Sequence, residues 1–190
     1  EYLEDSESIL TIEDIPTATA FNHSGQDALN FGFTQSAYWL RFSITNETTQ
    51  HKLLLEQAYA LIDYIELYTL LPDGTFNVQK SGDMMPFKHR AREARTITLV
   101  LEVEPGTTKE FYIRSNTSSS MQLPMNVHTS EGFAKVMERE TAMFSAFYGV
   151  ILVMILFNTL LGLSLRDKIY LGYVGYLIFY LLSQLGLNGH

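Results

Sequence analysis

The sequence contains no cysteine and is poor in basic residues. Without cysteine, neither a disulfide framework nor a thiolate metal site can form. The 13 Lys and Arg residues are outnumbered by 21 Asp and Glu residues, which gives a formal net charge of −8. A domain that binds DNA or RNA needs a basic surface, so no nucleic acid partner is expected.

Charged residues are also missing from two long stretches near the end of the chain. Residues 141–165 carry no formal charge, and a second uncharged run covers residues 169–190. A helix over the first run would be about 37 Å long, whereas the hydrocarbon core of a bilayer is about 30 Å thick. Buried helices of soluble proteins are shorter and normally have a polar face. The sequence therefore predicts two transmembrane helices in contact with membrane lipid, the second truncated, joined by a cytoplasmic turn at residues 166–168.

The remainder of the chain has a different composition. Residues 1–140 hold 20 of the 21 acidic residues and 11 of the 13 basic ones. A segment of this size is long enough to bury a core of its own. Its first five residues, EYLED, have neither the basic nor the apolar region of a signal peptide. We therefore interpret the chain as a mature fragment whose export signal has been removed, with residues 1–140 outside the cytoplasm.

Alternating apolar and polar residues predict strands in the first 130 residues. In residues 38–45, Tyr38 and Leu40 would point to one face, and Trp39 and Arg41 to the other. Further strands are expected within residues 53–59, 62–70, 97–103, 111–114 and 121–128, with a short one near residues 9–12. Seven or eight short strands with turns between them are typical of an antiparallel β-sandwich. Residues 131–140 are expected to form a helical connector to the first membrane span.

Two blocks of sequence resemble a known family. Residues 31–42 read FGFTQSAYWLRF and are followed by Asn46, and residues 163–171 read LSLRDKIYL. The first block resembles the second type of extracellular domain of the seven-transmembrane receptors with diverse intracellular signalling modules (7TMR-DISM). The second block is similar to the first two membrane spans of the same family. The resemblance continues over nearly the whole chain.

The resemblance implies a mainly β fold for residues 1–130, a periplasmic jelly-roll-like sandwich similar to carbohydrate-binding modules. This domain would precede the start of a seven-helix bundle in a bacterial inner membrane. The implied function is that of a ligand-sensing receptor, whose cytoplasmic output module (a histidine kinase or diguanylate cyclase) lies outside this chain. The family supplies no catalytic residues or cofactor here, so this fragment is not expected to be an enzyme. A homodimer through the membrane helices is a further expectation.

Candidate ligand-binding residues occur as two aromatic–arginine pairs. Trp39 and Arg41 are two residues apart in one predicted strand, and Tyr112 and Arg114 in another, so each pair shares a face. Aromatic rings stack on the C–H faces of sugars, and guanidinium groups donate forked hydrogen bonds. If the two faces join, they predict a platform for a carbohydrate-like ligand. The alternative is that Trp39 is a core or rim residue and that the arginines pair with acids such as Glu56 and Glu66.

A basic cluster is the second candidate site. Residues 88–95 read KHRAREAR, and Arg90 and Arg92 would bind an anionic small ligand. The alternative is a solvated loop whose charges offset nearby acids. The five histidines show no i, i+4 pair, so no metal site is expected.

Polar and small residues in the apolar runs suggest contacts between helices. Asn158 is expected to form a hydrogen bond to another helix, and four glycines would allow close helix approach: Gly149, Gly162, Gly172 and Gly175. Two other functional classes stay open at this point. A membrane-anchored glycan-processing enzyme would need two carboxylates across a cleft. An adhesion or assembly module would instead use an outer face to hold a protein partner.

Overall fold

The computed structural model describes residues 1–26, 28–85 and 96–187. The chain divides into two compact units, Glu1–Glu131 and Gly132–His190. The described part of the first unit contains strands β1 Tyr2–Asp5, β2 Leu29–Phe33, β3 Ala37–Thr45, β4 Lys52–Gln57, β5 Tyr64–Leu70, β6 Phe76–Ser81, β7 Ile97–Glu102, β8 Thr108–Asn116, β9 Ser120–Leu123 and β10 Met125–His128.

These strands form three antiparallel sheets around one core. The strand orders are β1-β3-β8-β5-β6, β10-β4-β7 and β2-β9. Side chains from all three sheets meet in the core, among them Leu40 of β3, Leu55 of β4 and Met121 of β9. The prediction of a mainly antiparallel β fold followed by a helical hairpin is confirmed, while the jelly-roll-like strand order stays a prediction. The alternation along β3 is also confirmed, because Tyr38 and Leu40 join this core and Trp39 points to the opposite face.

Two of the expected strands differ in the structure. The predicted strand over residues 121–128 is divided at Pro124 into β9, which pairs with β2, and β10, which pairs with β4. Proline has no N–H to donate to a strand ladder, so the chain changes sheets at this residue. The strand expected near residues 9–12 does not form, because the Asp5 carboxylate accepts hydrogen bonds from the backbone N–H groups of Ile9 and Leu10 and turns the chain away.

Two long helices follow the strands. Helix α1 (Ser130–Leu165) is continuous over the predicted connector and the first apolar run, and α2 covers Lys168–Leu187. Both are long and apolar enough to cross a membrane. Arg166 ends α1 in a left-handed conformation (φ 53°), and Asp167 Oδ1 accepts a hydrogen bond from Ile169 N at 2.9 Å. An aspartate in this position caps the start of a helix, so the turn is defined by only two residues.

The predicted helix contacts are realised in part. A Cβ added to Gly162 would lie 3.2 Å from side-chain atoms of Tyr170 and Leu171, so Gly162 does allow close approach of α1 and α2. The other three glycines of the prediction, Gly149, Gly172 and Gly175, face open space. Asn158 Nδ2 donates to Met154 O of its own helix at 2.8 Å. This bond lies inside α1, and a bond from Asn158 to another helix stays a prediction.

Candidate functional site

The two aromatic–arginine pairs lie side by side on one face of the five-stranded sheet. Antiparallel pairing of β3 with β8 places Trp39 opposite Arg114 and Arg41 opposite Tyr112. The guanidinium carbon of Arg114 lies 6.0 Å from the centre of the Trp39 ring. The next strand, β5, adds Glu66 opposite Arg114. The structure thus brings together the four residues that the sequence suggested.

This face is covered by the protein itself. Residues 6–21, which we call the strap, cross it, and the strap residues Ile12 and Ile15 form a small apolar cluster with Trp39 and Tyr112. Trp39 has no exposed surface and Tyr112 is 6 % exposed. The four residues therefore do not form an open platform, and Trp39 is a core residue, as the alternative interpretation had it. Its indole N–H is buried and has no hydrogen-bond partner among the residues that the structure describes.

The two arginines have different surroundings. The carboxylate of Glu1 binds Arg41, with distances from Glu1 Oε2 of 2.6 Å to Nη2 and 2.7 Å to Nε. The ring of Phe21 lies 4.2 Å from the guanidinium carbon of Arg41, within the range of a cation–π contact. Arg114 donates a hydrogen bond of 3.4 Å to the backbone carbonyl of Ser8. Each arginine therefore also holds the N-terminal residues of the chain against the sheet.

Neither acid named in the alternative interpretation is engaged by Arg41. Glu66 is bound by Lys80 Nζ at 2.6 Å and by the hydroxyl of Tyr68 at 2.6 Å. Glu56 lies in the other sheet, where it accepts a hydrogen bond from Thr96 Oγ1 at 2.8 Å and lies 3.0 Å from His128 Nε2.

The tyrosines of the covered face are held in the protonated form. Burial raises the pKa of Tyr112 to about 12, and its hydrogen bond to Glu110 adds to this effect. Burial and the neighbouring Glu66 also raise the pKa of Tyr68. For Glu66, burial favours a higher pKa, but the hydrogen bonds from Lys80 and Tyr68 outweigh it and the pKa is lowered. Both hydroxyls donate to carboxylates, Tyr112 to Glu110 and Tyr68 to Glu66.

Arg41 also borders a cavity of about 180 Å³. The cavity lies beside β3 and is lined by Glu1, Ser24, Gln26, Leu29, Leu40, Arg41, Phe42, Leu123 and Met125. Apolar and polar groups both line it, and the polar side chains come from Glu1, from Arg41 and from the segment before β2. Arg41 therefore offers a forked hydrogen-bond donor beside accessible space, whereas Trp39 is fully buried. No sequence pattern indicates Ser24 or Gln26, because they lie in an irregular segment that is close to Arg41 only in the folded chain.

The second candidate site lies outside the described residues. Arg90 and Arg92, with the rest of the basic cluster at residues 88–95, belong to the part of the chain for which no structure is described. The proposal that they bind an anionic ligand therefore stays a prediction.

Comparison with known proteins identifies the family. Residues 1–129 match the family model described as 7TMR-DISM extracellular 2, and residues 140–190 match the model described as 7TM diverse intracellular signalling. No match was found among curated proteins. The first match covers more than half of the 190 residues. The second falls on the two apolar helices, in agreement with a membrane protein that has an extracellular segment. The chain therefore belongs to the 7TMR-DISM family of sensory transmembrane signalling receptors.

Proposed function

We propose that residues 1–129 bind a small ligand in the periplasm of a bacterial cell and that the inner-membrane helices relay this binding to a cytoplasmic histidine kinase or diguanylate cyclase. The observation that carries the proposal is the direct connection between strand and helix. β10 ends at His128 and α1 begins at Ser130. The backbone N–H of Ser130 donates to Gln50 Oε1 at 3.3 Å, which ties the start of α1 to the loop between β3 and β4. In this proposal, a movement of these strands is passed to α1 along the continuous chain.

The volume of the cavity beside Arg41 and the guanidinium at its edge favour a small ligand that is carbohydrate-like or anionic. Its volume of about 180 Å³ is below the roughly 300–1,000 Å³ of pockets for drug-sized molecules. A single sugar or a short organic acid suits this size better than an oligosaccharide. A guanidinium binds a carboxylate or neighbouring hydroxyl groups through parallel N–H donors. Because Glu1 already engages Arg41 through Nε and Nη2, an acidic ligand would replace or share that carboxylate.

A binding experiment on the whole chain in lipid nanodiscs tests the ligand class. Galacturonate should raise the Tm of the chain, and it should do so more than galactose, because its carboxylate adds a charged hydrogen bond to Arg41. Arg41→Gln should weaken galacturonate binding roughly 10- to 100-fold, the equivalent of about 1.5–3 kcal/mol for such a bond. Lys109→Gln is the matched control, since Lys109 is a cation that lines a different cavity.

Two results would contradict the ligand proposal. If Arg41→Gln binds galacturonate as tightly as the parent, the cavity beside Arg41 is not the site. If neither sugar stabilises the parent chain, the ligand belongs to another class.

The topology can be tested separately with reporter fusions. A reporter enzyme that is active only in the cytoplasm should be active when fused after Lys168 and silent when fused after Val136. The uncharged run of residues 141–165 separates these two points, and it is long enough to cross a bilayer. The opposite pattern of activity would place residues 1–129 in the cytoplasm and exclude a periplasmic sensor.

A further inference from the structure

A second cavity adjoins the cavity beside Arg41. Its volume is about 470 Å³, which lies within the roughly 300–1,000 Å³ of pockets for drug-sized ligands. Three residues line both cavities: Ser24, Gln26 and Leu29. The two cavities therefore meet at these residues. We call the second one the aromatic cavity, because Tyr2 and Phe31 form part of its wall.

The core holds this aromatic wall in position. The ring centres of Tyr2 and Phe31 are 5.0 Å apart, and the Phe31 ring stacks on the ring of Tyr38 with centres 3.9 Å apart. Tyr38 belongs to the main core, whereas Tyr2 and Phe31 are half-buried. A side chain that is already fixed loses less conformational freedom when a ligand binds. The wall is therefore suited to stacking on the C–H face of a sugar ring.

Amide groups beside the wall have hydrogen-bond donors to offer. Gln26 and Asn30 line the aromatic cavity, and both are exposed. Asn30 Oδ1 accepts a hydrogen bond from Gly32 N at 3.0 Å. In the part of the chain that the structure describes, neither side-chain amide nitrogen donates a hydrogen bond. Their N–H groups are therefore available to the hydroxyl or ring oxygens of a sugar.

One carboxylate connects the two cavities. Glu1 Oε1 lies 3.1 Å from Nε2 of His23, which lines the aromatic cavity, while Glu1 Oε2 binds Arg41. An acidic group that takes the place of Glu1 at Arg41 therefore also releases His23. A ligand that extends from Arg41 into the aromatic cavity then meets His23 as a further hydrogen-bond partner.

We infer that the ligand has two joined parts, an acidic unit bound by Arg41 and a neutral sugar ring stacked on Tyr2 and Phe31. This inference rests on the ligand site proposed above and adds a second subsite to it. The cavity beside Arg41, of about 180 Å³, has room for one small unit, so a further unit must lie in the adjoining cavity. The described residues that line the aromatic cavity include no Lys or Arg, which favours a neutral unit there.

Calorimetry on the whole chain in lipid nanodiscs, with gluconate and lactobionate, tests the inference. Gluconate is a short hydroxylated acid, and lactobionate is the same acid joined to galactose. Lactobionate should bind roughly 10-fold more tightly or better, because its galactose ring adds one aromatic stack and hydrogen bonds. Arg41→Gln should weaken the binding of both acids by a similar factor. The effect of Arg41→Gln on gluconate thus tests the ligand site, and the ratio of the two affinities tests the second subsite.

Two variants examine the aromatic cavity alone. An added Cβ at Gly25 would meet no atom within 4 Å, and Gly25 lines the aromatic cavity but not the cavity beside Arg41. Gly25→Leu should therefore fill the aromatic cavity, reduce the affinity for lactobionate to that for gluconate, and leave gluconate binding unchanged. Tyr2→Leu removes one ring and should reduce the ratio several-fold. Asn77→Leu is the matched control, because it adds the same side chain at an exposed position of β6.

The outcomes separate the two proposals. Equal affinities for gluconate and lactobionate in the parent chain would overturn the second subsite, while Arg41-dependent binding of gluconate would leave the ligand site standing. A ratio that survives both Gly25→Leu and Tyr2→Leu would also overturn the second subsite, since galactose would then bind elsewhere. If Arg41→Gln binds gluconate as tightly as the parent, or if neither acid binds the parent, the ligand site and the second subsite both fail.

Discussion

Gly82→Ala should destabilise the β-sheet unit by about 2–5 kcal/mol. Gly82 follows β6 with φ 146°, and an added Cβ would lie 2.1 Å from the carbonyl oxygen of Asp63. Neither segment can move away easily, because Asp83 N donates to Ile62 O at 2.7 Å and holds the two together. Overpacking typically costs about 1–3 kcal/mol, and a strained backbone conformation costs a similar amount. The measurement is the urea midpoint of the whole chain, followed by the β-sheet circular dichroism signal.

Two other glycines separate the causes of this effect. Gly74 also has a positive φ, of 84°, but faces open space, so Gly74→Ala should lose only the conformational part, about 1 kcal/mol. Gly25 has neither a positive φ nor an atom close to an added Cβ. Gly25→Ala should therefore change the free energy of unfolding by less than about 0.5 kcal/mol. If Gly82→Ala is no more destabilising than Gly74→Ala, the close contact with Asp63 is not present in solution.

Ile15→Asp should release the strap and expose Trp39. Ile15 has no exposed surface, and it belongs with Trp39 to a cluster separate from the main core. The hydrogen bonds around it are mostly local, such as Ile15 N to Ile12 O at 3.3 Å. Removing a buried aliphatic side chain costs about 2–5 kcal/mol, and a buried, unpaired carboxylate costs more. We therefore expect the strap to leave the sheet while the main core stays folded.

The single tryptophan makes this expectation measurable. In Ile15→Asp, Trp39 emission should shift to the red and acrylamide quenching should rise several-fold, with the β-sheet circular dichroism signal retained. Ile9→Asp is the control, because Ile9 lies in the same strap but is 68 % exposed. Loss of the circular dichroism signal together with Trp39 exposure would contradict a separate strap, since strap and core would then unfold as one.

The interpretation of Trp39 shows how far the sequence could predict the site. Alternation along β3 correctly separates Leu40 from Trp39, because successive side chains of a strand point to opposite faces. Alternation does not reveal what covers each face. Residues 37–40 are all buried, so both faces of this part of β3 are covered. The covering residues, Ile12 and Ile15, lie in a short turn that is far from β3 in the chain, and no local pattern relates them to Trp39.

Some features of the fold depend on a single residue, and others depend on residues that are distant in the chain. The division at Pro124 was predictable in principle, because it follows from the missing N–H of one residue. The alignment of Trp39 with Arg114 depends on the register between β3 and β8, which are more than 60 residues apart in the chain. The binding of Arg41 by Glu1 depends in the same way on the pairing of β1 with β3. The packing of the whole core determines such long-range register. A local pattern therefore predicts which face of a strand a side chain occupies, but not which residue of the next strand lies opposite it.

The two-residue turn between α1 and α2 has a mechanical consequence for a receptor. Arg166 ends α1 and Asp167 caps α2, so no flexible linker separates the two helices. Gly162, one turn earlier, fits closely against side chains of α2. We therefore expect an axial displacement of α1 to carry α2 in the same direction, so that the hairpin transmits a stimulus as one body.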